Sequence, residues 1–452
     1  MKKFLTMWYT CFLVVITPIS AFAAVLDIQE VTSPKGLSAW LVEDHSVPVI
    51  AVSFSFLGAG AVNDGEAKQG LSQMLSNTLD EGAGAYNSQQ FQKALNDYAI
   101  TLRFSSSRDD FGGSLKTLSV NKDKAFELLN LSLTTPHLEG EAVARMAQAN
   151  MSRVRSSMTD PEWMVARLTN AVIYDGHPYA LNSGGTLTGL AQITPDDLRA
   201  KLKDQMGRDR LKVAVAGDIT AAELGHVLDR IFGELPARSH VAEVGAATIP
   251  EGGDPVLLKK DIPQSVVTWV FSGIPVHDPD YPAVEILNYI LGGAGFGSRL
   301  MDEVREKRGL TYGIYSDLGE LKNSAILTVG CSTKNASASE VLVLTQDIIT
   351  GITQKPVSEE ELRDARANLI GSVLLGLTST DRIAGAMLSM QELELPATYF
   401  DERIARLNRV NEKDVLRVAQ RLFDGHAPKI ILVGAPEISH TVKEVSTLPN
   451  VE

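Results

Sequence analysis

With 452 residues, 44% of them hydrophobic and 21% charged, the chain is too long for one ordinary core and has the balance of a globular protein of about two to three domains. That balance fits neither a disordered tail nor a bundle of membrane spans. A formal net charge of -13 argues against nucleic acid as a partner and favours a neutral or cationic peptide, if the charge serves more than solubility.

Residues 1–23 read as a cleavable export signal. Lys2 and Lys3 precede an apolar run, and Ala21-Phe22-Ala23 puts small residues at both positions that a signal peptidase reads. Cleavage after Ala23 removes two lysines, which takes the net charge from -13 to -15. Cys11 lies inside the signal without the small neighbours of a lipoprotein acceptor, so Cys331 is the one cysteine expected in the mature chain and no internal disulfide forms. Export without disulfides points to a bacterial periplasm, with no membrane association after cleavage.

In chain order, Leu37–Val42 and Val49–Phe56 alternate as strands, and Gly58–Glu66 is turn-rich. A helix is expected from about Lys68 to Leu79, with Leu71, Met74, Leu75, Thr78 and Leu79 on one face and Gln73, Ser76 and Asn77 on the other. Ser88–Tyr98 is a second helix, Ile100–Ser106 and Gly113–Val120 form a hairpin, and helices follow over Lys122–Thr134 and from about Gly140 to Met158. After His177-Pro178-Tyr179, Leu211–Ala216 is a strand and Ala221–Phe232 the helix behind it. Gly245–Pro255, rich in Gly and Pro and without periodicity, is the linker between units at 24–244 and 256–452.

The second unit repeats the first. Ala51–Gly58 answers Val266–Gly273, Asp64 answers Asp278, and Val213–Gly217 answers Ile430–Gly434, all at an offset of about 215 residues. Ser358 and Glu361 form a capping box before a helix to about Leu375, and helices over Asp381–Leu393 and Asn411–Phe423 complete a backing layer. The fold class is therefore α+β, two homologous domains, each an antiparallel-rich sheet backed by helices.

Gly292–Ser316 carries the chemistry. Its glycines mark a close-approach loop, Ser298 caps a short helix with Leu300, Met301 and Val304 on its apolar side, Gly309 stops it, and Tyr312–Tyr315 starts a strand. Arg305 and Tyr312, seven residues apart across the turn, are placed so that a guanidinium and a phenol converge on one spot and polarise a peptide carbonyl. Taken singly, an Arg at a helix end also suits the helix dipole and a strand Tyr also simply packs.

This stretch, together with the two-unit repeat, resembles the M16 (insulinase, pitrilysin, processing-peptidase) zinc metallopeptidases, and His177-Pro178-Tyr179 resembles a short motif of the same family. The resemblance implies that Arg305 and Tyr312 contact substrate and that Gly292, Gly293, Gly295, Phe296 and Gly297 form a loop admitting an extended peptide. It also implies a zinc site on His-x-x-Glu-His after Gly-Leu in the first domain. Here that run is Gly70-Leu71-Ser72-Gln73-Met74-Leu75-Ser76-Asn77, with Gln73 and Asn77 at the histidine positions, Ser76 at the glutamate, and Arg153 near the position of the third ligand. Amides are poor zinc ligands, serine is no general base for a metal-bound water, and an arginine repels a cation.

No two of the eight histidines are spaced to replace that site, and Asp80 and Glu81 point to different faces of a helix end. The reading is a chain without metal or independent peptidase activity. Its resemblance implies the complementary half of a heterodimer, whose His-x-x-Glu-His partner brings the zinc. A catalytically inert scaffold or peptide-binding protein is the alternative, and a homodimer stays open.

Overall fold

The computed structural model describes residues 24–439 and 441–452, so the expected signal segment and His440 lie outside the described residues. Strands form where alternation places them. The first half contributes β1 (Gln29–Thr32), β2 (Ser38–Glu43), β3 (Val49–Phe56), the small β4–β5 pair (Gly82–Ala83 and Tyr86–Asn87), β6 (Thr101–Ser106), β7 (Phe111–Leu118) and β8 (Leu211–Gly217). The second half contributes β9 (Val256–Lys259), β10 (Gln264–Ser272), β11 (Thr311–Leu321), β12 (Ser324–Lys334), β13 (Lys429–Gly434) and β14 (Lys443–Val445).

Two six-stranded sheets result, in the orders β1-β2-β8-β3-β7-β6 and β11-β12-β10-β13-β9-β14. Both are antiparallel except at β2–β8 in the first and at β13–β9 and β9–β14 in the second. The internal repeat survives in register: Ala51 of β3 lies opposite Ala216 of β8, and Val266 of β10 lies opposite Val433 of β13.

Each sheet is backed on one face by helices of its own half. Phe54, Phe56 and Val215 pack with Leu75, Phe126 and Phe232, while Val267, Trp269 and Leu432 pack with Val284, Val341 and Val418. Because successive strand residues point to opposite faces, Ala51, Ala214 and Ala216 in the first sheet, and Val266, Val270 and Val433 in the second, form a second apolar face. Each of these is covered by a helix from the opposite half.

Ala384 and Met387 of helix Thr380–Glu392 sit on the first sheet, and Met164, Val165 and Leu168 of helix Pro161–Ile173 sit on the second. The helix expected over Asp381–Leu393 therefore does not join the backing layer of its own half. An amphipathic stripe reports that a face is buried, not which surface buries it.

Polar struts fix this exchange. Asp109, in the turn between β6 and β7, accepts from the Tyr179 hydroxyl and from the Lys322 N–H (3.0 Å) in the turn between β11 and β12. Asn323 N–H donates to the Tyr179 hydroxyl (3.2 Å), and the Gln391 amide donates to the Val213 carbonyl (3.0 Å). The His177-Pro178-Tyr179 motif is thus a strut between halves, with Pro178 opening a short turn and the His177 ring accepting from the Tyr179 N–H (3.1 Å).

Asp110 beside this strut accepts from the Gly58 N–H (2.8 Å). Burial pushes its carboxyl up to about 7, with Glu392 and Asp109 adding to the rise and Lys322 opposing it.

Two outcomes follow. Since Asp110 holds its proton more tightly folded than unfolded, its contribution to stability is full below the ordinary carboxylate pKa and declines as pH rises towards about 7. Asp110→Asn should flatten that decline in urea midpoints taken from pH 4.5 to 8, and an unchanged slope would contradict it. Met387→Ala should cost about 2–4 kcal/mol in the unfolding free energy from urea titration, because it empties a buried contact between halves. A cost within about 0.5 kcal/mol, the range of surface changes, would mean the helix is not needed there.

Candidate functional site

The helix carrying Gln73 is short and firmly placed. Asp64 accepts from the Ser72 N–H (3.0 Å) at its start and pairs with buried Lys201 (3.1 Å). Gly70 precedes it with φ of 93°, and a Cβ there would meet Gly185 Cα at 2.6 Å, so only glycine fits. This left-handed residue starts the helix at Leu71, and Asn77 ends it, instead of the span from Lys68 to Leu79 read from periodicity.

On that helix the Gln73 amide donates to Ser76 Oγ (3.2 Å) and Asn77 Oδ1 (3.1 Å), and Ser76 Oγ donates to the Gln73 carbonyl (2.8 Å). Asn77 Nδ2 donates across to Asn150 Oδ1 (3.1 Å), which also accepts from Arg153 (2.9 Å). Arg153 further donates to the Gly184 carbonyl (3.3 Å).

The residue facing Asn77 is therefore Asn150, not Arg153. Arg153 lies one turn further along helix Gly140–Ser157 and closes the cluster from beyond it. Sequence distance alone pointed to Arg153; the i, i+3 relation of the two on one helix face was the signal that could have found Asn150.

These groups do not fit zinc. Amide and hydroxyl donors are already spent on one another, and the guanidinium, which burial shifts downward yet which stays cationic, occupies the edge of the cluster. Among the described residues no set of three or more His, Cys, Asp or Glu side chains is gathered as metal ligands would be.

In the second half the glycine loop runs from a widened helical turn, Tyr289–Gly293, into a tight turn, Gly295–Gly297. Gly292 is buried, and a Cβ there would lie 2.3 Å from the Ser316 backbone nitrogen. Its role is to let the loop pack on β11, which corrects the expectation that it faces a ligand. Gly293, Phe296 and Gly297 are exposed, Gly295 is half-buried with φ of 62°, and Phe296 is 70% exposed.

Ser298 Oγ accepts from the Met301 N–H (3.4 Å) and donates to the Gly295 carbonyl (2.7 Å), capping the helix as its position predicts. Arg305 lies 4.4 Å over the Phe296 ring and pairs with Glu306 (2.9 Å). Among the described residues no hydrogen bond joins Arg305 to Tyr312.

The β11–β12 pairing slips between Thr311 and Ile314, a bulge pinned by Thr311 Oγ1, which donates to the Ser332 carbonyl (2.7 Å) and accepts from the Gly313 N–H (3.1 Å). Bulges re-aim side chains at sheet edges. On this edge strand the bulge leaves Tyr312 86% exposed.

Tyr312, Tyr315, Cys331 and Ser332 line a groove of about 450 Å³ together with Glu162, which the first half's helix brings across and which accepts from Ser332 Oγ (2.7 Å). Burial pushes the Cys331 thiol up to about 12, so it is no nucleophile. The groove offers what an extended peptide needs: an open strand edge, a phenol that donates, and a carboxylate.

Residues 192–369 match the family described as peptidase M16 inactive domain. The chain is 24% identical to the non-peptidase homolog YmxG of Helicobacter pylori, over 92% of this chain and 94% of that one. Among solved structures it resembles the peptidase M16 inactive domain from Pseudomonas fluorescens (TM-score 0.85, 24% identity, 92% of this chain and 100% of that one). It also resembles the periplasmic protease PqqL from Escherichia coli (TM-score 0.76, 17% identity), covering 91% of this chain but 45% of PqqL.

Removing the central amide tests the network. Asn150→Ala should lower the unfolding free energy by about 1–3 kcal/mol, because it strands Asn77 Nδ2 and one arm of Arg153. Added zinc should leave the melting temperature of the unaltered chain unmoved, since only a ligand bound by the native state raises it. A melting temperature that climbs with zinc would contradict this reading of the cluster.

Proposed function

We propose that the chain is one of the M16 family's inactive members and the metal-free half of a two-subunit periplasmic endopeptidase, whose other half carries His-x-x-Glu-His and zinc. The observation that carries this reading is an opposition within one molecule. The first half's ligand positions are tied up by Asn150 and Arg153, while the second half keeps Tyr312 open on a bulged edge strand beside a groove. The coverage of PqqL fits: a chain of about twice this length accommodates the same fold in less than half of itself.

In the assembled pair this subunit holds the peptide. The Tyr312 hydroxyl donates to a carbonyl oxygen of the bound chain, with the gain largest where negative charge develops on that oxygen. Arg305 holds Phe296 and with it the exposed rim of the glycine loop, and the guanidinium nitrogens not paired with Glu306 are the ones it offers to substrate backbone. Gly293, Gly295, Phe296 and Gly297 let a peptide backbone come close. The net charge of -13 favours cationic or neutral substrates.

A scaffold role is the second reading, and one observation favours it: the Arg305 guanidinium already stacks on Phe296 and pairs through one nitrogen with Glu306.

The two readings part in one experiment. The chain is co-purified with a His-x-x-Glu-His subunit exported by the same cell, and peptide turnover is compared for Tyr312 and Tyr312→Phe. The substrate-holding reading expects turnover to fall at least roughly tenfold with the complex intact, a cautious floor for loss of one oxyanion donor. Equal turnover in an intact complex would leave the scaffold, and failure to form any complex would sink both.

A further inference from the structure

The groove at Tyr312 has depth because one position in its floor carries no side chain. Gly330 of β12 lies between Tyr315 of β11 and Thr268 of β10, in one row across three strands. Its φ is outside the left-handed region, and a Cβ there would meet nothing nearer than the Val267 carbonyl oxygen at 3.9 Å. Neither conformation nor packing therefore demands glycine at this point, where it costs strand propensity. A glycine inside a strand often marks a place where a ligand or another backbone comes close. Beside it the Tyr315 ring leans back over Gly313, where a Cβ would lie 2.7 Å from the ring, and walls the groove on its outer side.

Glu162 is the one charged side chain lining this groove among the described residues. It is exposed in the first turn of helix Pro161–Ile173, a position that favours a carboxylate. Ser332 Oγ holds its Oε1 (2.7 Å), and no lysine, arginine or histidine pairs with it among the described residues, which leaves Oε2 open. An open carboxylate near a half-exposed tyrosine ring suits a guanidinium, whose plane stacks on the ring while its N–H fork meets the oxygens.

We propose that this groove selects its peptide by charge. The space over Gly330 takes the side chain of an arginine, or less well of a lysine, and Glu162 is the residue that sets the preference. The inference rests on the peptide-holding role and adds a substrate class to it. A groove of this volume spans roughly two to three residues of extended chain at about 3.3 Å each, so the basic residue lies close in sequence to the carbonyl that Tyr312 takes.

The full chain is titrated into three acetylated, amidated octapeptides of alanine and threonine that bear a neutral dye, and anisotropy is read. They differ at one central residue, which is arginine, its neutral isostere citrulline, or glutamate. The arginine peptide should bind roughly three- to tenfold more tightly than the citrulline peptide, the combined worth of one exposed ion pair and one cation–ring contact. Added salt should narrow that gap. Glu162→Gln, which still accepts from Ser332, should remove most of the gap and leave the citrulline affinity unmoved. Glu162→Lys should make the glutamate peptide the tightest of the three. Gly330→Val suits a strand and fills the floor, so it should weaken all three alike.

The outcomes separate the two claims. Equal binding of arginine and citrulline, or a gap that survives Glu162→Gln, would overturn the charge selection and leave peptide holding in place. Binding unmoved by Gly330→Val would put the peptide elsewhere and also overturn it. No saturable binding of any of the three below about 1 mM would overturn the peptide-holding role and this inference with it.

Discussion

The structure rests on an exchange of helices across the seam. Each sheet has two apolar faces and its own half supplies cover for only one, so helix Thr380–Glu392 crosses to the first sheet and helix Pro161–Ile173 to the second. Burying apolar surface is the dominant gain in folding, and here neither half reaches it alone. The same crossing places Glu162 in the groove beside Tyr312, so the candidate site inherits its shape from the arrangement that stabilises the fold.

That constraint explains why the two halves of a repeated unit differ in what they keep. The first half's early helix has become structural: Asp64 and Lys201 anchor its start, and Gln73, Ser76, Asn77, Asn150 and Arg153 satisfy one another where a metal would otherwise demand free imidazoles and carboxylates. A polar network whose members pair with one another costs less to leave buried than an empty ligand set would. The second half spends its irregularities outward instead. A widened helix, a glycine loop and a bulge all lie within Tyr289–Ile314, and together they expose Phe296 and Tyr312.

Much of this was legible in the sequence, for physical reasons that differ by element. Val49–Phe56 alternates and forms β3 over the same residues, and the Ser358–Glu361 box caps its helix as read, because both signals are local. The repeat was legible because two copies of one strand pairing need the same apolar pattern. What stayed hidden depends on distant partners. The helix around Gln73 is shortened by Gly70 meeting Gly185, more than a hundred residues away. Asn150 faces Asn77 because of how two helices lie together. The widened turn at Met301–Glu306 directs Arg305 to Phe296, where spacing alone had suggested a meeting with Tyr312.

The proposed role gives this molecule the holding of a peptide and gives its hydrolysis to another protein. The direct measurement is zinc content and peptide cleavage for this chain, for a His-x-x-Glu-His partner, and for the two mixed. Cleavage confined to the mixture, with one zinc per pair carried by the partner, is the expected result. One tightly held zinc on this chain, or cleavage by it alone, would contradict the account.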